Sequence, residues 1–175
     1  SNLSATGVTG GRTHVYVHDT LDGSTSLVSR SSGGGEAGGS SFHPEISDDG
    51  EFVVFTSEAS NIDATIVPSA PRNVYRIHRD GSSGELLTQS GGVSGNGISY
   101  DPTISADGSV VAFVSEATNL DSGSPDTNGL PDVFVVDFTA SSLERITASN
   151  GDEFNLPSDE TSGDVGPLEP SLSSY

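Results

Sequence analysis

Two blocks of this 175-residue sequence recur in one order at one period. Residues 43–61 read HPEISDDGEFVVFTSEASN and residues 101–119 read DPTISADGSVVAFVSEATN, an ungapped offset of 58 (101 − 43). The other block appears three times, as HVYVHD from His14, NVYRIH from Asn73 and DVFVVD from Asp132, at offsets of 59 and 59. The opening Ser1-Asn2-Leu3 matches Ser60-Asn61-Ile62 and Thr118-Asn119-Leu120, and the closing Glu169 to Tyr175 matches the start of the first block. A fixed period of this size marks repeated supersecondary units, each hiding its apolar faces against the next.

Each unit contains four short strand candidates. The first is Pro-x-Ile-Ser (Pro44–Ser47, Pro102–Ser105), closed by an Asp-Gly turn, a strong hairpin signal. The second is Phe52–Ser57 or Val110–Ser115. A polar loop leads to the third, VYV, VYRI or VFVV, and a turn rich in Asp, Gly, Ser and Thr leads to the fourth, at Ser26–Arg30, Glu85–Gln89 and Leu143–Thr147. No segment keeps apolar residues at i, i+3, i+4 and i+7, so no long helix is expected. The second and third strands are nearly continuous apolar runs, which implies cover on both faces. Radial stacking of four-stranded blades supplies that cover, whereas a lone two-layer sandwich would alternate more cleanly on its outer faces. The expected fold is all-β, a β-propeller segment of four-stranded antiparallel blades with incomplete blades at both ends.

The pattern PxISxDGxxVAFxSxATNL…DTNGxxDVFVxD resembles the TolB-like propellers built from WD40-like repeats, found in bacterial and archaeal surface or periplasmic proteins. The resemblance runs from Asn2 to Tyr175 and is carried most specifically by Ser-x-Asp-Gly and Asp-Val-Phe-Val. It implies blades and names no partner. The period of 58–59 exceeds the ~40–45 residues of an ordinary WD40 blade, and the excess lies in the loop before the third strand and between blades.

The expected organisation is the end of one blade and its connection over 1–40, a full blade over 41–96, another over 97–150, an acidic insert over 151–168 and the first strand of a further blade over 169–175. Neither end supplies a counterpart of the second strand. Propellers close with about 4–8 blades, so the chain is expected to be a window on a longer polypeptide, or to be completed by a flanking chain or a second copy.

Candidate chemistry is sparse. The loop Asp121–Asp132, DSGSPDTNGLPD, offers oxygen ligands at Asp126, Asn128 and Asp132, the set a calcium ion would use. It lacks the full Asp-x-[Asp/Asn]-x-[Asp/Asn]-Gly spacing, and Asp and Asn also bond their own backbone in turns. His14 and His18 are four apart on one strand, about 13 Å at ~3.3 Å per residue, too far for one metal. No Gly-x-Ser-x-Gly elbow and no phosphate-binding Gly-Lys-[Ser/Thr] motif occurs. The runs Gly33–Gly35 and Gly38–Gly39 read as linker. The insert Asn150–Pro167 reads as a solvated acidic loop.

Charge narrows the partners. Twenty-five acids against six basic residues, all Arg, give a net charge of −19. Such a surface repels nucleic acid. With no Cys, disulfides and thiolate metal sites are excluded, and no apolar run reaches the ~20 residues of a membrane-spanning helix. The expected role is a non-enzymatic, extracellular, cell-surface or periplasmic scaffold that binds a protein or surface polymer. Two alternatives stay open: the propeller domain of a secreted glycan- or peptide-directed hydrolase, and a subunit of an extracellular filament or surface layer completed by strands from neighbours.

Overall fold

The Asp-Gly pairs turn the chain where the sequence places them, with Gly50 and Gly108 both at φ +71°, a left-handed conformation that glycine adopts without strain. The computed structural model describes residues 11–121, 123, 126 and 128–146. Its strands in chain order are β1 (Tyr16–His18), β2 (Thr25–Leu27), β3 (Ser41–Ile46), β4 (Phe52–Ser57), β5 (Asn73–His78), β6 (Glu85–Leu86), β7 (Gln89–Ser90), β8 (Val93–Ser94), β9 (Ser99–Ile104), β10 (Val110–Ser115), β11 (Asp132–Asp137) and β12 (Ser142–Arg145). The acidic insert, the segment 169–175 and the opening Ser1–Leu3 lie outside the described residues. No helix of the described residues is long and apolar enough to cross a membrane.

Two four-stranded antiparallel sheets, β3-β4-β5-β6 and β9-β10-β11-β12, form in sequence order, and β1-β2 pair as the end of a preceding unit. These are propeller blades. In both whole blades the first strand carries a bulge beside a proline, with His43 at φ +47° and Asp101 at φ +49° just before Pro44 and Pro102. A residue without an N–H belongs at such an interruption of the ladder. The fourth strand of the first whole blade is shorter than expected. It ends at Leu86, and the chain then folds into the β7-β8 hairpin through Gly91 and Gly92, both at positive φ.

The core lies between blades. Val53, Phe55, Tyr75, Ile77 and Leu86 pack with Val15, Val28 and Ala37 of the preceding unit. Val54, Val74 and Leu87 pack with Val111, Phe113, Leu120 and Phe134 of the following blade. The sheet β3–β6 is therefore covered on both faces, which accounts for the continuous apolar runs of β4 and β5. Members of the two cores correspond at the repeat offset: Phe55 and Phe113 are both fully buried, and Ile62 and Leu120 are both 1 % exposed.

One expected equivalence fails. Ile104 is 6 % exposed, packed in a cluster with Val54, whereas Ile46 is 44 % exposed. Ile104 is covered by the second strand of the blade before it. Among the described residues the β1-β2 sheet has no second strand, so nothing covers Ile46.

The linker reading of Gly39 also fails. A Cβ on Gly39 would lie 2.4 Å from the Glu58 carbonyl carbon, and one on Gly97 would lie 2.4 Å from the Glu116 carbonyl. Both glycines let the incoming chain pass against the exit of the second strand, a repeated close approach that no side chain permits.

Candidate functional site

The repeat places three kinds of polar group, and each shows how the chain uses its chemistry. The first kind is the Ser-x-Asp-Gly turn. Ser47 Oγ donates to Asp49 Oδ1 and accepts the Phe52 N–H at 3.1 Å; Ser105 Oγ donates to Asp107 Oδ1 at 2.8 Å and accepts the Val110 N–H at 2.9 Å. Hydrogen bonds from Ser47 hold the Asp49 carboxyl below its ordinary value, and those from Ser109 and Ser105 hold Asp107 at about 2. Asp80, with Ser82 and His78, also sits at about 2. Every carboxylate with a perturbed pKa among the described residues is shifted down, in the direction that stabilises a bound anion within a turn.

The second kind opens the third strand. His14, Asn73 and Asp132 occupy one repeat position and are all tied to the fourth strand or its continuation. His14 Nδ1 lies 3.2 Å from Ser29 Oγ, Asn73 Oδ1 accepts from Thr88 Oγ1 at 3.0 Å, and Asp132 Oδ2 accepts from Arg145 Nη1 at 3.1 Å. Arg145 stands at the position of Leu86, facing Phe134 as Leu86 faces Tyr75. A buried charge on the third strand has brought a buried charge onto the fourth.

That pairing bears on the calcium set. Asp132 is 1 % exposed and faces a guanidinium. Asp126 Oδ1 accepts the N–H groups of Asn128 and Gly129, both at 3.0 Å, and Asn128 Oδ1 accepts that of Leu130 at 2.7 Å. Two of the three side chains bond backbone turns and the third an Arg, in a loop whose residues 122, 124, 125 and 127 lie outside the described residues. Among the described residues no three His, Asp or Glu side chains converge on a metal position.

The sequence establishes of His14 only that it lies too far from His18 to share a metal with it. In the structure it joins Ser29 and, at 3.9 Å from its Nε2, Glu36 Oε2. Ser29 is fully buried and its Oγ accepts the Val15 N–H at 3.0 Å. A nucleophile needs access to substrate, so this Ser–His–Glu arrangement is a strand tie.

The third kind is a pair of inter-blade clefts that sequence reasoning missed. One, about 300 Å³, lies between the segment from Arg30 to Gly34 and the β5-β6 turn. The other, about 380 Å³, lies between the segment from Glu85 to Gly91 and the β11-β12 turn. They correspond at an offset of 59: Arg30 with Gln89, Ser31 with Ser90, Ile77 with Val136, and Ser82 and Ser83 with Ser141 and Ser142. The legible signal was the serine content of the third-to-fourth-strand turns at matched positions.

Between the blades themselves, the Arg76 guanidinium lies 4.6 Å from the Phe52 ring centroid and 3.2 Å from that of Phe138, and donates to the Gly108 carbonyl at 3.1 Å. Arg76 thus joins β5 to the Asp-Gly turn of the next blade and to Phe138, just past the end of its third strand.

No protein-family model and no curated protein matches this chain. Among solved structures it is similar to a protein described as TolB from Agrobacterium tumefaciens, with TM-score 0.47 and 23 % identity, over 75 % of this chain and 40 % of that one. It is also similar to the tricorn protease, with TM-score 0.45 and 16 % identity, over 72 % of this chain and 12 % of that one. The chain spans less than half the length of either. The propeller assignment rests on the blades themselves.

Proposed function

We propose that the chain is part of a non-enzymatic propeller that acts as a binding module or scaffold, placed outside the cell, at its surface or in the periplasm. One observation carries this reading: the polar groups that could do chemistry are spent at repeat-equivalent positions on holding strands and turns. Ser29 and Thr88, 59 residues apart, tie the third strand to the chain that follows it, and Asp49 and Asp107 lock the same turn in successive blades. Catalytic groups break repeat symmetry and have pKa values shifted toward the working pH. A net charge of −19 without Cys is compatible with an exposed, saline environment and keeps such a protein soluble.

The test is turnover of chromogenic peptide and glycoside substrates by the purified, folded chain. The reading predicts rates equal to buffer. A wild-type rate abolished by changing one carboxylate or one serine would establish the hydrolase alternative instead.

The exposure of Ile46 favours a second reading alongside the first. Its repeat partner is covered by the second strand of the blade before it, and the matching position beside β1-β2 would be filled by a strand of the same polypeptide or of a neighbouring subunit. The neighbouring-subunit form is the filament or surface-layer alternative. Concentration-dependent assembly in light scattering supports it, and a constant monomer mass opposes it.

A further inference from the structure

We propose that the two inter-blade clefts are successive binding sites for a neutral polysaccharide. This deepens, and rests on, the reading of the chain as a non-catalytic binding module. Both volumes, about 300 and 380 Å³, fall at the small end of the ~300–1,000 Å³ range of ligand sites.

The two clefts present the same chemistry from different residues. Each has a planar donor with one end fixed and the other free. Arg30 donates through Nε to the Leu27 carbonyl at 2.9 Å, which leaves its two Nη groups; Gln89 accepts the Gly92 N–H on Oε1 at 2.9 Å, which leaves its amide NH2. Among the described residues Arg72, Arg76, Arg79 and Arg145 have a carboxylate within 4.0 Å, and Arg12 and Arg30 have none. Each cleft also has an aspartate with one oxygen engaged in its own turn. Asp80 Oδ1 accepts the Ser82 N–H at 2.8 Å and Asp137 Oδ1 the Thr139 N–H at 2.7 Å, and both keep a second oxygen for an incoming hydroxyl. Paired serines add hydroxyls, and Ile77 or Val136 supplies apolar carbon at the base.

Donors, acceptors, hydroxyls and an apolar floor match a pyranose, which carries hydroxyls around its rim and C–H groups on its face. The positive charge of Arg30 is absent from the second cleft, so charge is not the shared feature. The overall net charge of −19 repels a polyanion. What both clefts accommodate is an uncharged sugar. Because they lie one repeat apart, a linear polymer engages them together, and its apparent affinity exceeds that of either cleft through effective concentration.

The experiment is native affinity electrophoresis of the whole chain in gels containing dextran, mixed-linkage β-glucan or mannan, with alginate as the acidic counterpart. Retardation is expected in at least one neutral polymer and not in alginate. The double variant Arg30→Leu/Gln89→Leu is expected to weaken it about tenfold or more. Ser32→Trp with Ser90→Trp, which fills both clefts without removing the donors, is expected to do the same, and circular dichroism shows which variants fold. Leu21→Ser, at a site 96 % exposed and outside both clefts, is expected to change nothing. Absence of retardation in all three neutral polymers overturns the proposal. So does retardation by alginate alone, or binding that survives in a folded cleft variant. Neutral polymers that neither bind nor are cut would remove the saccharide and leave the binding-module reading standing. Reducing sugar released from a retarding polymer would remove the non-catalytic reading and leave the clefts as sites.

Discussion

Single residues in this chain are constrained most where backbone passes backbone. Gly39 and Gly97 each have Glu58 or Glu116 main-chain atoms 2.4 Å from where a Cβ would stand. Gly97→Ala should cost about 3 kcal/mol, since the obstacle is backbone and cannot swing away. Gly33→Ala, whose Cβ would meet only Ser31 Oγ at 3.9 Å, should stay within about 0.5 kcal/mol, with urea unfolding as the measurement. The turn aspartates set a second expectation. Asp107 and Asp80 are held at about 2, against the ordinary 3.8, by hydrogen bonds from Ser109 and Ser82 first. Their contribution is present above the unfolded value and is lost as pH falls through the folded one. Stability should therefore drop between about pH 4 and pH 2, read as falling Tm. His78 has the opposite sign. Burial lowers it, but hydrogen bonds to Glu51 and Asp80 outweigh burial and raise it, so its contribution is present in mild acid and fades as pH rises through the raised value. Ser109→Ala removes the foremost of the hydrogen bonds to Asp107 and should abolish part of the acid transition, read as a smaller fall in Tm between about pH 4 and pH 2.

Among the elements, the strands were legible because their signals are local. Asp-Gly turns, β-branched and aromatic runs and the period of 58–59 are all printed in the residues, and β4 and β10 have the bounds the sequence suggests. What was not legible depends on partners distant along the chain. The early end of β6, the burial of His14 and the pairing of Asp132 with Arg145 follow from which strand lies opposite, 13 residues away in the last case. Gly39 looked like linker because its contact, the Glu58 backbone, has no side-chain signature. The clefts are hard to read for the same reason, since each is made by two repeat units, and only the matched serines of the third-to-fourth-strand turns mark them in the sequence. The Asp132–Arg145 pair carries its own test. Arg145→Leu alone leaves a buried carboxylate without its guanidinium and should cost about 3–5 kcal/mol. Adding Asp132→Asn reproduces the Asn73/Leu86 combination of the preceding blade and should recover most of that loss. Equal stability of the single and double variants in guanidinium unfolding would show that the two positions do not act together.

At the scale of the whole molecule, two opposing terms dominate. Burial between blades holds the sheets together, and a net charge of −19 pushes the surface apart. Salt screens the second over about 8–10 Å and leaves the first intact, so Tm should rise with NaCl, and a flat response would remove self-repulsion from the account. The central claim is that the β3–β6 sheet uses both faces, one on each neighbour. It is carried by residues such as Val54 and Ile104, 50 positions apart in sequence and members of one buried cluster. A double-mutant cycle on Val54→Ala and Ile104→Ala tests that packing most directly. The stacked-blade arrangement predicts a coupling of about 0.5 kcal/mol or more between them. Strict additivity of the two losses would contradict it.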